Sequence, residues 1–251
     1  VILKMVPRGT RAASKEKRYR RFTSRGLAVP RFILQRMMLK PLVWTLTTVE
    51  VRAYTDLDHV TRPFIVAANH ASHLDAPLII GALPRRLTRY LATGAAADYF
   101  FEVRWRKWLT SLVFNTFPVD RTGTRVHSGV SKKLLQRGVP LLIFPEGGRS
   151  PSGTIGPFKP GAAALAIACD VPCLPVALVG AYEAMPRGKN WPVRGRPHVI
   201  VAIGTPLRPE PDESPTAFTE RLADEVRRLY DKNSSDGARP NGPAGDPREM
   251  S

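Results

Sequence analysis

Short apolar runs alternate with longer stretches of helical periodicity along most of this chain. Runs rich in β-branched residues predict strands at Val49–Ala53, Phe64–Ala68, Arg89–Thr93, Pro140–Phe144, Cys173–Gly180 and His198–Gly204. Helical spacing predicts helices at Leu74–Leu83, Glu102–Phe114, Arg125–Gln136, Gly161–Cys169 and Pro215–Tyr230. Gly138 and Pro140 punctuate a helix-to-strand turn. Such alternation builds a single α/β domain with a mixed, mostly parallel sheet flanked by helices. The expected division is a basic arm and helical segment at 1–48, the α/β domain at 49–232, and a disordered tail at 233–251, rich in Gly, Pro, Ser and Asp. Within the first part, Leu27–Val49 has a broad, uneven apolar face that carries Arg31, Arg36 and Lys40.

Composition adds a partner to this picture. At 251 residues the chain can bury about 70–75% of its unfolded surface, so its core needs no staples. Its net charge is +17, and residues 1–40 hold +11 of it. Charge of this sign points to nucleic acid, an anionic membrane surface or a phosphorylated substrate. Two cysteines, Cys169 and Cys173, in apolar surroundings argue against a disulfide framework. No uncharged apolar stretch reaches the ~20 residues of a spanning helix, since Asp170, Pro172 and Pro175 interrupt the longest candidate. The long basic start does not read as a secretory signal. The expectation is an intracellular protein, soluble or monotopic, and 28 Arg against 10 Lys points to GC-rich coding, as in many bacteria.

Three clusters carry candidate chemistry. The first, Asn69-His70-Ala71-Ser72-His73-Leu74-Asp75, follows a strand and opens a helix, where sites in open α/β sheets lie. His70 and Asp75 fit a general base and its orienting carboxylate, provided that His70 lies in the loop and Asp75 inside the helix. A capping box over Ser72 and Asp75 is the competing reading. The second, Phe117-Pro118-Val119-Asp120-Arg121, is a short strand ending in a charged pair, the pattern also of a plain strand-end ion pair. The third, Phe144-Pro145-Glu146-Gly147-Gly148-Arg149-Ser150, places two glycines and an arginine after a strand. Backbone N–H groups there cradle anions and Arg149 supplies a fork for phosphate, while an ordinary Gly-rich turn has the same composition. Lys159, ahead of the next helix, extends such an anion site.

Taken in order, NHxxxxD, FPVDR, FPEGGRS and Val171-Pro172-Cys173-Leu174-Pro175-Val176 resemble the lysophosphatidic acid acyltransferase family of glycerolipid acyltransferases, over roughly residues 40–205. The resemblance implies transfer of an acyl group from a thioester, on coenzyme A or acyl carrier protein, to the free hydroxyl of lysophosphatidic acid. It implies no metal and no further cofactor. His70 then is the base and Asp75 its partner. Arg121, Glu146, Gly147 and Arg149 sit at the acceptor phosphate, and Lys159 is placed with them. Phe117, Val171, Pro172 and Pro175 line the acyl or acceptor pocket. The enzyme is expected on the cytoplasmic face of the membrane, peripheral or monotopic. Two departures stand out: Gly148 replaces the family's usual Thr, and Phe114 stands where Gly often precedes the second block.

The other readings are an acceptor such as glycerol 3-phosphate or another lysophospholipid, a metal-dependent hydrolase, and a polyanion-binding protein. For a metal, His70, His73 and Asp75 lack the i,i+4 spacing of a metal-binding helix. For nucleic acid, nothing beyond the charge speaks. Membrane contact is expected from the basic arm, Leu27–Val49 and the segment Val103–Leu109, whose Trp105 and Trp108 interleave with cations.

Overall fold

At the centre lies β2 (Ile65–Ala68), a strand with no exposed residue. The computed structural model describes residues 19–96, 111–119 and 128–237. The other strands are β1 (Thr48–Ala53), β3 (Ala92–Ala96), β4 (Phe117–Val119), β5 (Leu141–Ile143), β6 (Cys173–Val179) and β7 (His198–Ile203). They form one seven-stranded sheet in the order β1-β7-β6-β2-β5-β3-β4. Every neighbouring pair is parallel except β6–β7, so the expected mixed, mostly parallel sheet is present. Helices among the described residues include α1 (Arg25–Phe32), α2 (Lys40–Leu46), α3 (Asp75–Ala82), α4 (Arg85–Thr88), α5 (Ser128–Gln136), α6 (Gly161–Cys169), α7 (Ala181–Ala184) and α8 (Pro215–Gly237).

Strand periodicity divides the core. Val66 and Ala68 face a cluster with Leu78 and Ile79 of α3 and Val43 of α2. Ile65 and Ala67 face the opposite cluster, with Leu134 and Leu135 of α5, Ala162 and Ala166 of α6, and Phe218 and Leu222 of α8. Helices thus cover both faces, and the C-terminal ends of β2, β3 and β5 converge at one edge of the layers, where loops are free to carry a site.

Two elements differ from the sequence pattern. The strand expected at Arg89–Thr93 begins at Ala92, because the turn opened by Pro84 draws Arg89 N–H onto Arg85 O at 2.8 Å. Helix α8 runs on to Gly237, past the expected boundary at 233. Asn233 explains it: fully buried, it donates to Leu229 O at 2.7 Å and accepts from Arg52 at 2.9 Å and Tyr54 at 3.0 Å. Of the helix expected at Glu102–Phe114, only 111–114 falls among the described residues, and it is helical.

The N-terminal helices correct the reading of their cations. A π-helical turn, Ile33–Leu39, joins α1 to α2. Arg31 is 2% exposed and donates to Leu112 O and Asn115 Oδ1, both at 2.9 Å. Burial pushes its guanidinium down to about 10. Gln35, also buried, donates to Val113 O at 2.6 Å. Arg36 donates to Gly81 O at 3.0 Å and Leu83 O at 2.6 Å, capping the C-terminus of α3. These arginines therefore bind carbonyls inside the protein, and the residues facing outward are mostly apolar, with Arg25 and Thr45 the polar exceptions. Val29, Ile33 and Met37 follow one another at i,i+4, with Met38 and Leu42 beside them, all exposed. No described helix is long and apolar enough to cross a membrane. Residues 1–18 of the basic arm and the segment with Trp105 and Trp108 lie outside the described residues.

Candidate active site

Where β2 ends, Asn69 closes the sheet like a backbone unit. Its side chain donates to Leu178 O at 3.0 Å and accepts from Leu178 N–H at 2.8 Å, tying the chain to β6. His70 follows in the loop and Asp75 opens α3, the arrangement the pair requires. His70 Nδ1 lies 2.7 Å from Asp75 Oδ2. The same oxygen accepts from Ala71 N–H at 2.7 Å and Ser72 N–H at 2.9 Å. Asp75 is 0% exposed, so this single oxygen both shapes the loop and orients the imidazole. Half of the capping box is real, since Asp75 does accept the Ser72 N–H; the Ser72 hydroxyl donates to Met185 O at 3.1 Å and accepts the Leu74 N–H at 3.2 Å, one residue short of the N–H a full box would bind.

The third block braces the same histidine from the other side. Glu146 Oε1 accepts His70 N–H at 2.7 Å, and Ser150 N–H donates to His70 O at 2.7 Å. The Phe144 ring stacks on the imidazole with centroids 4.1 Å apart and planes 16° from parallel. Backbone, ring face and Nδ1 are all held, which leaves Nε2 for a cavity of about 590 Å³. Its wall includes His70, His73, Thr93, Gly94, Phe114, Thr116, Val119, Gly147, Gly148, Arg149 and Arg187.

Glu146 does not line that cavity. Its second oxygen accepts Gly156 N–H at 3.0 Å, so both oxygens serve backbone donors rather than an anion site. Burial pushes its carboxyl above the ordinary carboxylate range, opposed by these two N–H groups. Gly147 and Arg149 do line the cavity. Arg149 Nη1 is buried without a hydrogen-bond partner among the described residues. Lys159 lies behind Gly147: a Cβ there would meet its Nζ at 3.0 Å, and φ at Gly147 is +76°, so this turn requires glycine. A Cβ on Gly148 would meet nothing within 4 Å. His73 stands exposed at the cavity wall, and partial desolvation with the Arg149 guanidinium nearby lowers its imidazole from the ordinary value.

The expected pocket residues fall elsewhere. Phe117 is fully buried in the core on the α5–α6 side, and its neighbours Thr116 and Val119 line the cavity instead. Val171 and Pro172 precede β6 at its N-terminal end, the far end of the parallel strands from His70. Pro175 lies within β6, its carbonyl accepting Gly204 N–H at 2.9 Å. The fourth block thus builds the sheet rather than the cavity. Arg121 lies outside the described residues. Among the described residues, no three His, Cys, Asp or Glu gather as a metal ion would require. Asn69, Phe144, Thr93, Gly94 and Arg187 were not singled out by the sequence; only Asn69 and Phe144 stood inside recognised blocks.

Comparison with known proteins agrees with this architecture. A family model described as "Acyltransferase" matches residues 48–179, just over half of the chain. The chain is 31% identical over 192 residues to mouse 1-acyl-sn-glycerol-3-phosphate acyltransferase alpha, covering 70% of this chain and 62% of that protein. It is 29% identical over 186 residues to the bovine protein, covering 70% and 61%. It thus spans about three fifths of the length of these relatives. The crystal structure of the LPA acyltransferase PlsC from Thermotoga maritima superposes with a TM-score of 0.65 at 25% identity, covering 88% of each chain. The histidine–aspartate loop and its bracing block fall within the matched stretch, and the chain belongs to the acyltransferase family, the family of the lysophosphatidic acid acyltransferases.

Proposed function

We propose that this chain transfers an acyl group from an acyl thioester to the free hydroxyl of lysophosphatidic acid, giving phosphatidic acid. The observation that carries this reading is His70, oriented by Asp75 at 2.7 Å with its other ring nitrogen left to a cavity that Arg149 also lines. A hydroxyl is a weak nucleophile at neutral pH, and removal of its proton during attack contributes ~10²–10⁴-fold. His70 takes that proton, and the Asp75 carboxylate stabilises the resulting imidazolium. The hydroxyl oxygen attacks the thioester carbonyl, a tetrahedral oxyanion forms, and the thiol leaves with the proton from His70. The thioester is already activated, so neither an acyl-enzyme nor a further cofactor is required.

Arg149 holds the acceptor phosphate, and its unpartnered buried nitrogen supports that role. Lys159 contributes charge behind the turn at Gly147, and Arg121 joins them in this reading. Glu146 acts as a positioning residue that fixes the His70 backbone. The names of the mouse and bovine relatives support lysophosphatidic acid as acceptor.

Both lipid substrate and product reside in a bilayer. The exposed apolar row of Val29, Ile33, Met37, Met38 and Leu42 suits shallow insertion into the cytoplasmic leaflet, and the basic arm at 1–18 suits its anionic headgroups. The test is a donor-by-acceptor matrix with purified protein: long-chain acyl-CoA and acyl carrier protein against lysophosphatidic acid, glycerol 3-phosphate and neutral monoacylglycerol, with products read by mass spectrometry. Phosphatidic acid formed from lysophosphatidic acid is the expected result. Acylation of glycerol 3-phosphate or of another lysophospholipid in its place would reassign the acceptor.

A further inference from the structure

The stretch 186–197, between α7 and β7, is a basic loop with an exposed tryptophan. It carries Arg187, Lys189, Arg194 and Arg196 and no acidic residue. Trp191 is 66% exposed and Val193 41%. Among the described residues, Arg187, Lys189 and Arg194 make no ion pair.

Three bonds fix where the loop lies. The Ser72 hydroxyl donates to Met185 O at 3.1 Å, which ties its start to the catalytic loop. Val193 N–H donates to Ala184 O at 2.8 Å, which folds its middle back on α7. Arg196 donates to Trp44 O at 3.2 Å, which joins its end to the C-terminal turn of α2. Arg187 consequently borders the active-site cavity, while the far end of the loop meets the helix that carries exposed Leu42.

We propose that this loop is a second membrane contact, which seats the mouth of the cavity on an anionic lipid surface. Its chemistry matches such a surface on two counts. Cations meet headgroup phosphates, and tryptophan prefers the interface between water and hydrocarbon. Its continuity with the apolar row of α1 and α2 favours lipid over an acidic protein, since a bilayer is the partner broad enough to engage both. The α1–α2 row supplies apolar insertion, and the loop supplies charge next to the cavity. The proposal rests on the reading that the acceptor reaches His70 from a bilayer.

The experiment is co-sedimentation of the full chain with vesicles of phosphatidylcholine alone or mixed with phosphatidylglycerol, in the absence of donor and acceptor. The variants are Lys189→Gln/Arg194→Gln and Trp191→Ala; they spare Arg187 at the cavity and Arg196 on Trp44. With about fivefold lost per cation near an anionic surface, the double variant binds mixed vesicles ~30-fold more weakly and phosphatidylcholine unchanged. Trp191→Ala weakens binding to both. The same differences in a His70→Ala background separate this proposal from the catalytic reading, because no turnover is needed. Wild-type binding by the double variant overturns the proposal. A double variant that binds vesicles normally but loses turnover only with acyl carrier protein as donor carrier also overturns it, and assigns the loop to an acidic protein.

Discussion

The carboxylate of Glu146 accepts the backbone N–H of His70 at 2.7 Å, across 76 residues of sequence. This bond joins the third motif block to the first. The glutamate that sequence pattern groups with Arg149 holds the His70 loop in place, while Arg149, three residues on, lines the cavity with Phe144, Gly147 and Gly148.

Glu146→Gln tests that division. Glutamine keeps one acceptor oxygen but turns an NH₂ toward either His70 N–H or Gly156 N–H, which leaves a half-buried donor unsatisfied. Stability falls by about 1–3 kcal/mol. A displaced His70 lowers kcat by up to ~10²-fold, with KM for the acceptor little changed. Thermal melts and steady-state kinetics read both numbers. A selective rise in acceptor KM would return Glu146 to the phosphate site.

Arg149→Ala removes the cation assigned to the acceptor phosphate. KM for lysophosphatidic acid rises at least ~10-fold, consistent with the loss of a charge-assisted bond of about 1.5–3 kcal/mol. KM for the acyl donor stays near wild type, and neutral monoacylglycerol as acceptor shows no comparable loss. An equal effect on both substrates, measured by initial rates, argues against the assignment.

Gly148→Thr installs the residue common in the family. Its φ is not in the left-handed region, and a Cβ meets nothing within 4 Å. The variant folds at least as stably as wild type, with a gain of about 0.4–1 kcal/mol from the restricted unfolded chain. A marked loss in melting temperature would show that the turn depends on glycine here.

His73 sets an acid limit on stability. Partial desolvation at the cavity wall and the Arg149 guanidinium hold its imidazole below the ordinary 6.5 in the folded protein. As pH falls below 6.5, the unfolded chain takes up a proton that the folded chain resists, so stability declines until pH has passed through the folded value. Above 6.5 both states are neutral at this site and it contributes no pH dependence. His73→Gln flattens this part of the curve of melting temperature against pH. An unchanged slope would count against the depressed value.

The sheet was largely legible in the sequence because β2, β6 and β7 are buried on both faces, so their runs are almost wholly apolar. His70 and Asp75 were legible because the loop between strand and helix brings residues five apart together, which a continuous helix would not. The roles of Arg31 and Arg36 were not legible. A sequence displays their charge, but only the fold shows that Asn115 and the carbonyls at Leu112, Gly81 and Leu83 receive them. Read as surface cations, they suggested headgroup contacts; folded, they turn inward and leave Met37 and Met38 outside. The same limit governs Glu146, Asn69 and Asn233, whose partners are backbone groups or side chains that tertiary packing brings together. The fourth block illustrates the converse. Its Pro-rich pattern marks β6 and its approach, and the parallel arrangement puts Val171 and Pro172 at the opposite end of the sheet from the site.

The most direct test of His70 as base is thiol release from a long-chain acyl-CoA, followed with and without lysophosphatidic acid, for wild type and His70→Ala. The account predicts acceptor-dependent release by wild type and a fall of ~10²–10⁴-fold in the variant. Near wild-type turnover by His70→Ala would contradict it.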